Sequence, residues 1–180
     1  MEVSSADRQE RLLYEGKHLT LKQKGSWEYV ERRGKAGGVL VVAVTPEEKL
    51  LLVEEYRPPV DGRVISLPAG LVGDAPGPET PVVAAARELR EETGYEAAGL
   101  DFLGAGPSSP GLASESVSFF LAREVRPAGK PSAEEDIRLH AVPLSEVRVW
   151  VRRREREGAL IHPLLWAGLY LAFSENVFGD

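Results

Sequence analysis

The sequence predicts an α/β (α+β) fold in which a mixed sheet is sandwiched between helices. Two observations carry this prediction: short apolar segments typical of strands recur along the chain, and segments with helical spacing are interspersed among them. The length of 180 residues is that of one ordinary domain. We expect a small N-terminal β arm over residues 1–36 and a main domain over residues 37–180.

The first part of the chain predicts a series of strands, because segments rich in β-forming residues are punctuated by Gly16 and Gly25. The predicted strands cover residues 12–15, 19–24, 27–32, 39–44, 49–56 and 64–67. Residues 39–44 are apolar throughout, which is typical of a strand buried on both faces. The glycine- and proline-rich residues 70–78 then predict a loop.

A helix is predicted directly after this loop. Thr80 fits the N-cap, Pro81 suits the first helical position, and Gly94 suits the C-terminal stop. The side chains that we expect to face the core, at helical spacing, are Val82, Ala86 and Leu89.

The C-terminal part predicts further strands at residues 100–103, 116–123 and 137–142, followed by two helices. Ser145 is expected to cap a charged helix that runs to about Glu157, and Pro163 to open the last one. The expected buried side of the charged helix comprises Val147, Trp150 and Val151. Its solvated face is expected to carry Arg152, Arg153, Arg154 and Arg156.

The composition excludes several function classes. A net charge of −6 argues against nucleic acid as a partner, although an anionic substrate remains compatible if metal ions supply positive charge. The absence of cysteine excludes disulfides and thiolate sites and fits a cytoplasmic protein. The apolar residues 160–173 are fewer than the ~20 that cross a bilayer, so no membrane partner is expected.

The predicted first helix carries three glutamates, Glu88, Glu91 and Glu92, at spacings that put their carboxylates on one helical side. Like charges at this spacing repel, and a divalent cation removes the conflict because Mg²⁺ and Mn²⁺ prefer oxygen ligands. The alternative is a solvated acidic face that is partly paired with Arg87 and Arg90.

The surrounding spacing distinguishes these two interpretations. Residues 73–95 read G-x5-E-x7-R-E-L-R-E-E-T-G-Y, with a glycine at 73 and a glutamate at 79. This resembles the Nudix box, G-x5-E-x7-R-E-U-x-E-E-x-G-U, where U is a large aliphatic residue, and the one departure is Tyr95 at the last U. The resemblance implies an α/β/α sandwich and a metal-dependent pyrophosphohydrolase.

By this resemblance, Glu88 and Glu92 bind Mg²⁺, with Mn²⁺ as the alternative ion. Glu91 is implied as a further ligand or as a catalytic group that supports the ligands. The same resemblance gives Arg87 and Glu79 the role of a pair that braces the helix against its loop. Gly73 and Gly94 are implied as the turns of the box.

A second resemblance covers roughly residues 26–140 and indicates the ADP-ribose and ADP-sugar pyrophosphatases. Residues 67–70 read L-P-A-G, in which the carbonyl of Ala69 is implied as a metal ligand. Pro110 stands fifteen residues beyond Tyr95, where a proline marks ADP-ribose specificity. The implied reaction is the hydrolysis of ADP-ribose to AMP and ribose 5-phosphate.

The substrate contacts are implied by the same resemblance. Trp27 is the candidate for stacking on adenine across a dimer interface, beside Glu28; the alternative is that Trp27 packs within a strand. Arg57 is the candidate for the diphosphate or ribose, the alternative being an ion pair with Glu54 or Glu55. Glu115 is a weaker substrate-contact candidate.

The general base is expected in the loop before the last long strand. Glu135 is the first candidate and Glu134 the second, because Ala133 replaces the other glutamate of the related pattern; the alternative is a solvated acidic loop. A homodimer formed through the N-terminal arm is also implied. Two other functions stay open: hydrolysis of ADP-glucose, GDP-mannose or another nucleoside diphosphate sugar, and a non-catalytic nucleotide-sensing module.

Overall fold

The computed structural model describes residues 9–132 and 136–174, except for the side chain of Phe173. Its N-terminal sheet contains β1 (Glu10–Glu15), β2 (Leu19–Lys24) and β3 (Trp27–Arg32), paired antiparallel in the order β1-β2-β3. The three predicted N-terminal strands are thereby confirmed, and β1 begins two residues before the predicted start.

Ten further strands follow within the described residues. They are β4 (Gly38–Ala43), β5 (Lys49–Arg57), β6 (Gly62–Ser66), β7 (Ala69–Leu71), β8 (Tyr95–Glu96), β9 (Asp101–Pro107), β10 (Ser116–Ala122), β11 (Arg126–Pro127), β12 (Arg138–Pro143) and β13 (Leu160–Ile161). The helices are α1 (Pro81–Thr93), α2 (Val147–Arg156) and α3 (Pro163–Ser174), and short 3-10 turns occupy Pro58–Val60 and Leu144–Glu146.

Two four-stranded mixed sheets form the centre of the protein. The first has the order β7-β4-β10-β9, and the second has the order β12-β5-β6-β13. In each sheet one pair is parallel, β4 with β10 and β6 with β13, while the other pairs are antiparallel. Strands β8 and β11 make a small separate pair.

The core lies on both faces of β4, as its uninterrupted apolar sequence predicts. Alternate residues of a strand point to opposite faces, so Val39 and Val41 pack on the α1 side with Leu89. Leu40 and Val42 pack on the other side, in a cluster to which α3 and, against the second sheet, α2 contribute. This layering of helix, sheet and helix confirms the predicted sandwich.

Of the predicted core residues of α1, Leu89 is confirmed, whereas Val82 and Ala86 are wrong. Val82 is 42% exposed and Ala86 is exposed, whereas Ala85 and Leu89 are buried. Each helical residue turns the side-chain direction by about 100°, so Val82 and Ala86 lie on the strip next to the buried one. The buried strip includes the small Ala84 and Ala85, which allow the helix to approach β4 closely.

Three other predictions differ from the structure. Residues 69–71 pair with β4 as a strand, although 70–78 were expected to form a loop, because the backbone of Ala69 lies opposite Leu40. Ser145 does not cap α2, since a 3-10 turn over Leu144–Glu146 precedes the helix. Arg154 leaves the expected solvated face and donates a hydrogen bond to the buried carboxylate of Glu54 at 3.1 Å.

Among the described residues, no helix combines the length and the apolar character that crossing a membrane requires.

Candidate active site

Helix α1 begins and ends at the residues that the sequence predicts. Thr80 is extended at the N-cap position, although its side chain makes no capping hydrogen bond, and Pro81 opens the helix. Gly94 takes the left-handed conformation, with φ 72°, and its N–H donates to the carbonyl of Arg90. A Cβ at Gly94 would lie 2.6 Å from the carbonyl oxygen of Gly129, so glycine is needed here for conformation and for space.

An arginine ties α1 to the preceding loop. Arg87 donates from Nε to Oε1 of Glu79 at 2.8 Å and from Nη2 to the carbonyl of Leu71 at 3.0 Å. Glu79 also accepts from the N–H of Gly73 at 2.7 Å. The hydrogen bond with Arg87 holds the pKa of Glu79 below its usual value. The loop and the first half of the helix therefore form one hydrogen-bonded unit.

Glu88 and Glu92 are buried beside the strand that follows the L-P segment. Oε2 of Glu92 accepts a hydrogen bond from the N–H of Ala69 at 2.9 Å. A Cβ built on Gly70 would overlap the carboxylate of Glu88, so this carboxylate lies directly against the backbone of β7. The two carboxylates and the Ala69 main chain thus converge on one place.

Glu91 differs from the other two glutamates. Its side chain is 49% exposed and accepts a hydrogen bond from Nη1 of Arg87 at 2.9 Å, and it does not line the cleft. Positions 91 and 92 are about 100° apart around the helix, and the direction in which Glu88 points falls between them. Glu91 and Glu92 therefore point to different sides of Glu88.

The donor set fits a hard divalent cation. Burial raises the pKa of Glu88, although the Arg87 guanidinium opposes the shift, and a cation at this place would offset the cost of the buried negative charge. Across residues 9–132 and 136–174, no three Asp, Glu, His or Cys side chains are grouped closely enough to hold a metal. Main-chain oxygen, water and substrate oxygens would complete the coordination, as is usual for Mg²⁺.

A cleft of about 570 Å³ lies in front of the two carboxylates. Its first wall comes from the sheet of β4 and β10, together with Arg32, Ser108, Ser109 and Glu115. Its second wall comes from the end of β5 and the start of α3. The side chains of this second wall are Glu55, Arg57, His162, Pro163 and Leu164.

The two N-terminal candidates occupy different faces of one strand. Trp27 stands at the start of β3 and is 63% exposed, so it is not packed within the sheet. Its ring lies near Gly111 in the turn after Pro110. Glu28 is also exposed, but consecutive strand residues point to opposite faces, so the two side chains diverge.

The remaining substrate candidates lie at or near the cleft. Arg57 lines the second wall of the cleft and also forms an ion pair with Glu55. Both of the roles that the sequence left open for Arg57, substrate contact and ion pairing, are therefore compatible with its position. Glu115 lines the first wall and accepts a hydrogen bond from Nε of Arg32 at 2.6 Å. Pro110 is exposed in the turn after Ser109 and is not part of the lining.

Glu134 and Glu135 lie outside the described residues. The two ends of their loop are fixed: the N–H of Ser132 donates to the carbonyl of Glu91 at 2.7 Å, and Arg63 donates to the carboxylate of Asp136 at 2.7 Å.

Sequence reasoning missed several cleft residues, Arg32 and His162 among them, and one buried cluster. Arg32 and His162 line the cleft but belong to no motif, and only the pairing of distant segments brings them there. The cluster centres on Glu54, whose carboxylate is surrounded by arginine and histidine side chains from β6, β12 and α2. These groups are Arg63, Arg138, His140 and Arg154.

Three relatives resemble parts of this chain. A methanol dehydrogenase activator of Bacillus methanolicus is 40% identical over 87 residues, 48% of this chain and 45% of the relative. An ADP-ribose pyrophosphatase of Bacillus subtilis is 43% identical over 89 residues, 49% of this chain and 46% of the relative. An ADP-sugar pyrophosphatase of Mus musculus is 31% identical over 160 residues, 81% of this chain and 71% of the relative. The chain thus matches about half the length of the first two.

A solved structure described as an ADP compounds hydrolase matches the whole architecture. The TM-score is 0.71 at 20% identity, and the match covers 96% of each chain, which establishes a shared fold. The NUDIX domain model matches residues 34–161, which include both central sheets, helix α1 and the two buried carboxylates. This match and the extended similarity to the mouse relative establish that the chain belongs to the NUDIX domain family.

Proposed function

We propose that this protein is a Mg²⁺-dependent pyrophosphohydrolase that cleaves ADP-ribose with water to give AMP and ribose 5-phosphate. The observation that carries the proposal is the pair of buried carboxylates, Glu88 and Glu92, held on a rigid helix at a cleft that also presents Arg57. The similarity to proteins named ADP-ribose pyrophosphatase and ADP-sugar pyrophosphatase supports this substrate class.

Glu88, Glu92 and the main-chain carbonyl of Ala69 would hold the cation, with Mn²⁺ as the alternative to Mg²⁺. When bound there, the cation supplies positive charge to the diphosphate and activates water for attack on phosphorus. Arg87 and Glu79 keep the helix in register with its loop, and Gly73 and Gly94 allow the turns at its two ends. Glu91 assists by sharing the Arg87 guanidinium with Glu88.

Substrate binding is assigned to both walls of the cleft. We assign adenine to Trp27, with Glu28, Pro110 and Glu115 bordering the nucleoside. Arg57 is assigned to the diphosphate, which would compete with Glu55 for the guanidinium. Glu135, or secondarily Glu134, is proposed as the general base.

The arm over residues 1–36 is proposed to form a homodimer, and residues 37–180 to carry the catalytic domain. The exposed Leu12 and Tyr14 on the arm support this assignment, because apolar surface of this kind is often covered in an assembly. We further propose a cytoplasmic enzyme, consistent with the absence of cysteine.

Two other functions compete with this proposal. One is the same hydrolysis with ADP-glucose or GDP-mannose as the substrate. It would differ from the proposal only in the protein side chains that contact the base and the sugar. The other is a non-catalytic nucleotide-sensing module, and one relative is named a methanol dehydrogenase activator. The buried carboxylate pair favours catalysis, because two buried negative charges that no cation neutralises would lower the stability of the fold.

The test is a product analysis with Mg²⁺ and ADP-ribose, ADP-glucose, GDP-mannose and diadenosine polyphosphates. We expect AMP release from ADP-ribose and a loss of at least about a hundredfold in kcat for Glu92→Gln, since a ligand of the cation is removed. Glu96→Gln, at an exposed glutamate three residues beyond the end of the helix at Thr93, is the matched control and should retain the wild-type rate.

Preference for another diphosphate would leave the pyrophosphohydrolase chemistry and replace the ADP-ribose assignment. Nucleotide binding without turnover of any compound would instead favour the sensing module.

A further inference from the structure

His162 occupies a fixed place on the second wall of the cleft. Its N–H donates to the carbonyl of Ile65 in β6 at 2.9 Å, and its carbonyl accepts from the N–H of Leu165 in α3 at 3.0 Å. The residue thus joins the end of β13 to the first turn of α3. Both main-chain groups are bonded, which fixes the backbone of His162 at the cleft that Arg57 also lines.

The imidazole is chemically available. Within the described residues, its ring nitrogens make no hydrogen bond or ion pair, and the side chain is neither fully buried nor exposed. Burial, and secondarily the positive charge of Arg57, lower the pKa of His162, so the ring is neutral at physiological pH. A neutral imidazole carries one donor and one acceptor, which matches a hydroxyl group better than a phosphate.

The arrangement of the cleft indicates which hydroxyl this is. The proposed nucleoside contacts, Trp27 and Glu115, belong to the first wall or its border, and Glu88 with Glu92 marks the position of the diphosphate. A nucleoside diphosphate sugar that follows this order places its distal sugar at the second wall. Only Glu55, Arg57 and His162 offer polar side chains there, and Glu55 and Arg57 are paired with each other.

We propose that His162 recognises a hydroxyl of the distal sugar, and so determines specificity for the sugar half of the substrate; this assignment rests on the proposed function. The first test measures kcat and KM for ADP-ribose with His162→Ala and His162→Gln. We expect KM to rise about tenfold in His162→Ala, while kcat stays within about twofold of the wild type. The reason is that the lost hydrogen bond is made equally in the enzyme–substrate complex and in the transition state. His162→Gln, which keeps a donor and an acceptor, should restore most of the affinity.

His18→Ala is the matched control, because His18 is exposed and distant in sequence from every cleft residue. Its KM should equal that of the wild type. An unchanged KM in His162→Ala, or an equal rise in the His18 control, would overturn the proposal.

The second test needs no turnover and separates the two halves of the substrate. The Kd of ribose 5-phosphate should rise about tenfold in His162→Ala, while the Kd of AMP stays unchanged. In the wild type, the imidazole NMR signals of His162, identified by their loss in His162→Gln among the three histidines, should shift with ribose 5-phosphate and not with AMP.

A shift with AMP alone, or no binding of ribose 5-phosphate by the folded wild type, would refute the assignment of His162. The NMR measurement uses the native side chain, so it decides the question even if His162→Ala does not fold. If ADP-ribose is not hydrolysed but ribose 5-phosphate binding depends on His162, the proposed function fails and the assignment of His162 remains.

Discussion

The carboxylate of Glu88 lies directly against Gly70, where α1 packs on β7. A side chain at position 70 would occupy the space of the Glu88 carboxylate, and this carboxylate is itself buried. The glycine therefore matters for the space it leaves rather than for an unusual φ. This explains physically why the segment that supplies the Ala69 carbonyl ends in glycine.

Gly70→Ala should displace Glu88 and weaken Mn²⁺ binding at least about tenfold, since changes near metal ligands typically cost this much. The Kd is measured by calorimetry or by Mn²⁺ electron paramagnetic resonance, with kcat as a second readout. Gly106→Ala is the control, because nothing lies within 4 Å of a Cβ there. Equal Mn²⁺ affinity in wild type and Gly70→Ala would disprove the placement of Glu88 at the metal.

At the scale of the element, α1 depends on its ionic connection to the loop. Glu79 is almost completely buried and is bonded by Arg87 and by the N–H of Gly73. Because Arg87 lowers the pKa of Glu79 on folding, the ionised carboxylate stabilises the native state above the unfolded value of 4.5. This contribution is lost as the pH falls through the lower folded value.

Glu79→Gln should reduce the free energy of unfolding by about 1–3 kcal/mol near neutral pH, as expected for a lost charged hydrogen bond. The difference from wild type should shrink below about pH 4.5, where the wild-type carboxylate becomes protonated. Urea unfolding at several pH values measures both effects. If the difference in the free energy of unfolding between Glu79→Gln and wild type does not change with pH, the charge of Glu79 does not stabilise the fold, and the loss comes from packing alone.

At the scale of the whole molecule, the N-terminal sheet is joined to the main domain next to the cleft. The N–H of Val30 donates to the carbonyl of Leu112 at 2.8 Å, and the N–H of Ser114 donates to the carbonyl of Val30 at 3.1 Å. Arg32 adds its ion pair with Glu115. The arm thus supports the turn that contains Pro110.

Deletion of residues 1–36 should abolish the proposed dimer and weaken ADP-ribose binding, because it removes the exposed apolar arm, Trp27 and Arg32 together. Analytical ultracentrifugation and calorimetry report the two effects. Trp27→Ala separates them: the dimer should persist while the Kd rises about tenfold, the typical effect of losing one stacked base. A monomeric truncation with full affinity would contradict both roles of the arm.

The buried Glu54 cluster is another property of the whole molecule. Burial raises the pKa of Glu54, but the hydrogen bonds from His140 and Arg154 outweigh it, so the net pKa lies below the usual value. The arginine and histidine partners come from strands and a helix that are far apart in sequence. Nothing in the local pattern around Glu54 predicts them, and the same applies to Arg154, which the sequence places on a solvated face.

The sequence by itself determined the family and most elements. The spacing of the box from Gly73 to Gly94 is local, so it could be interpreted without a fold, and the match to the NUDIX domain family confirms it. The relation to ADP-ribose and ADP-sugar pyrophosphatases is confirmed as well. Strand β4 and the bounds of α1 were predictable because uninterrupted apolar character, Pro81 and Gly94 act within one segment.

Only the tertiary structure decided which side chains meet. It turned Glu91 towards Arg87 while burying Glu88 and Glu92, and it rotated the core face of α1 away from Val82. It also brought Arg32 and His162, 130 residues apart, to opposite walls of one cleft. The physical reason is that local spacing fixes directions around one helix or strand, whereas burial and partners depend on the strands and helices packed against it.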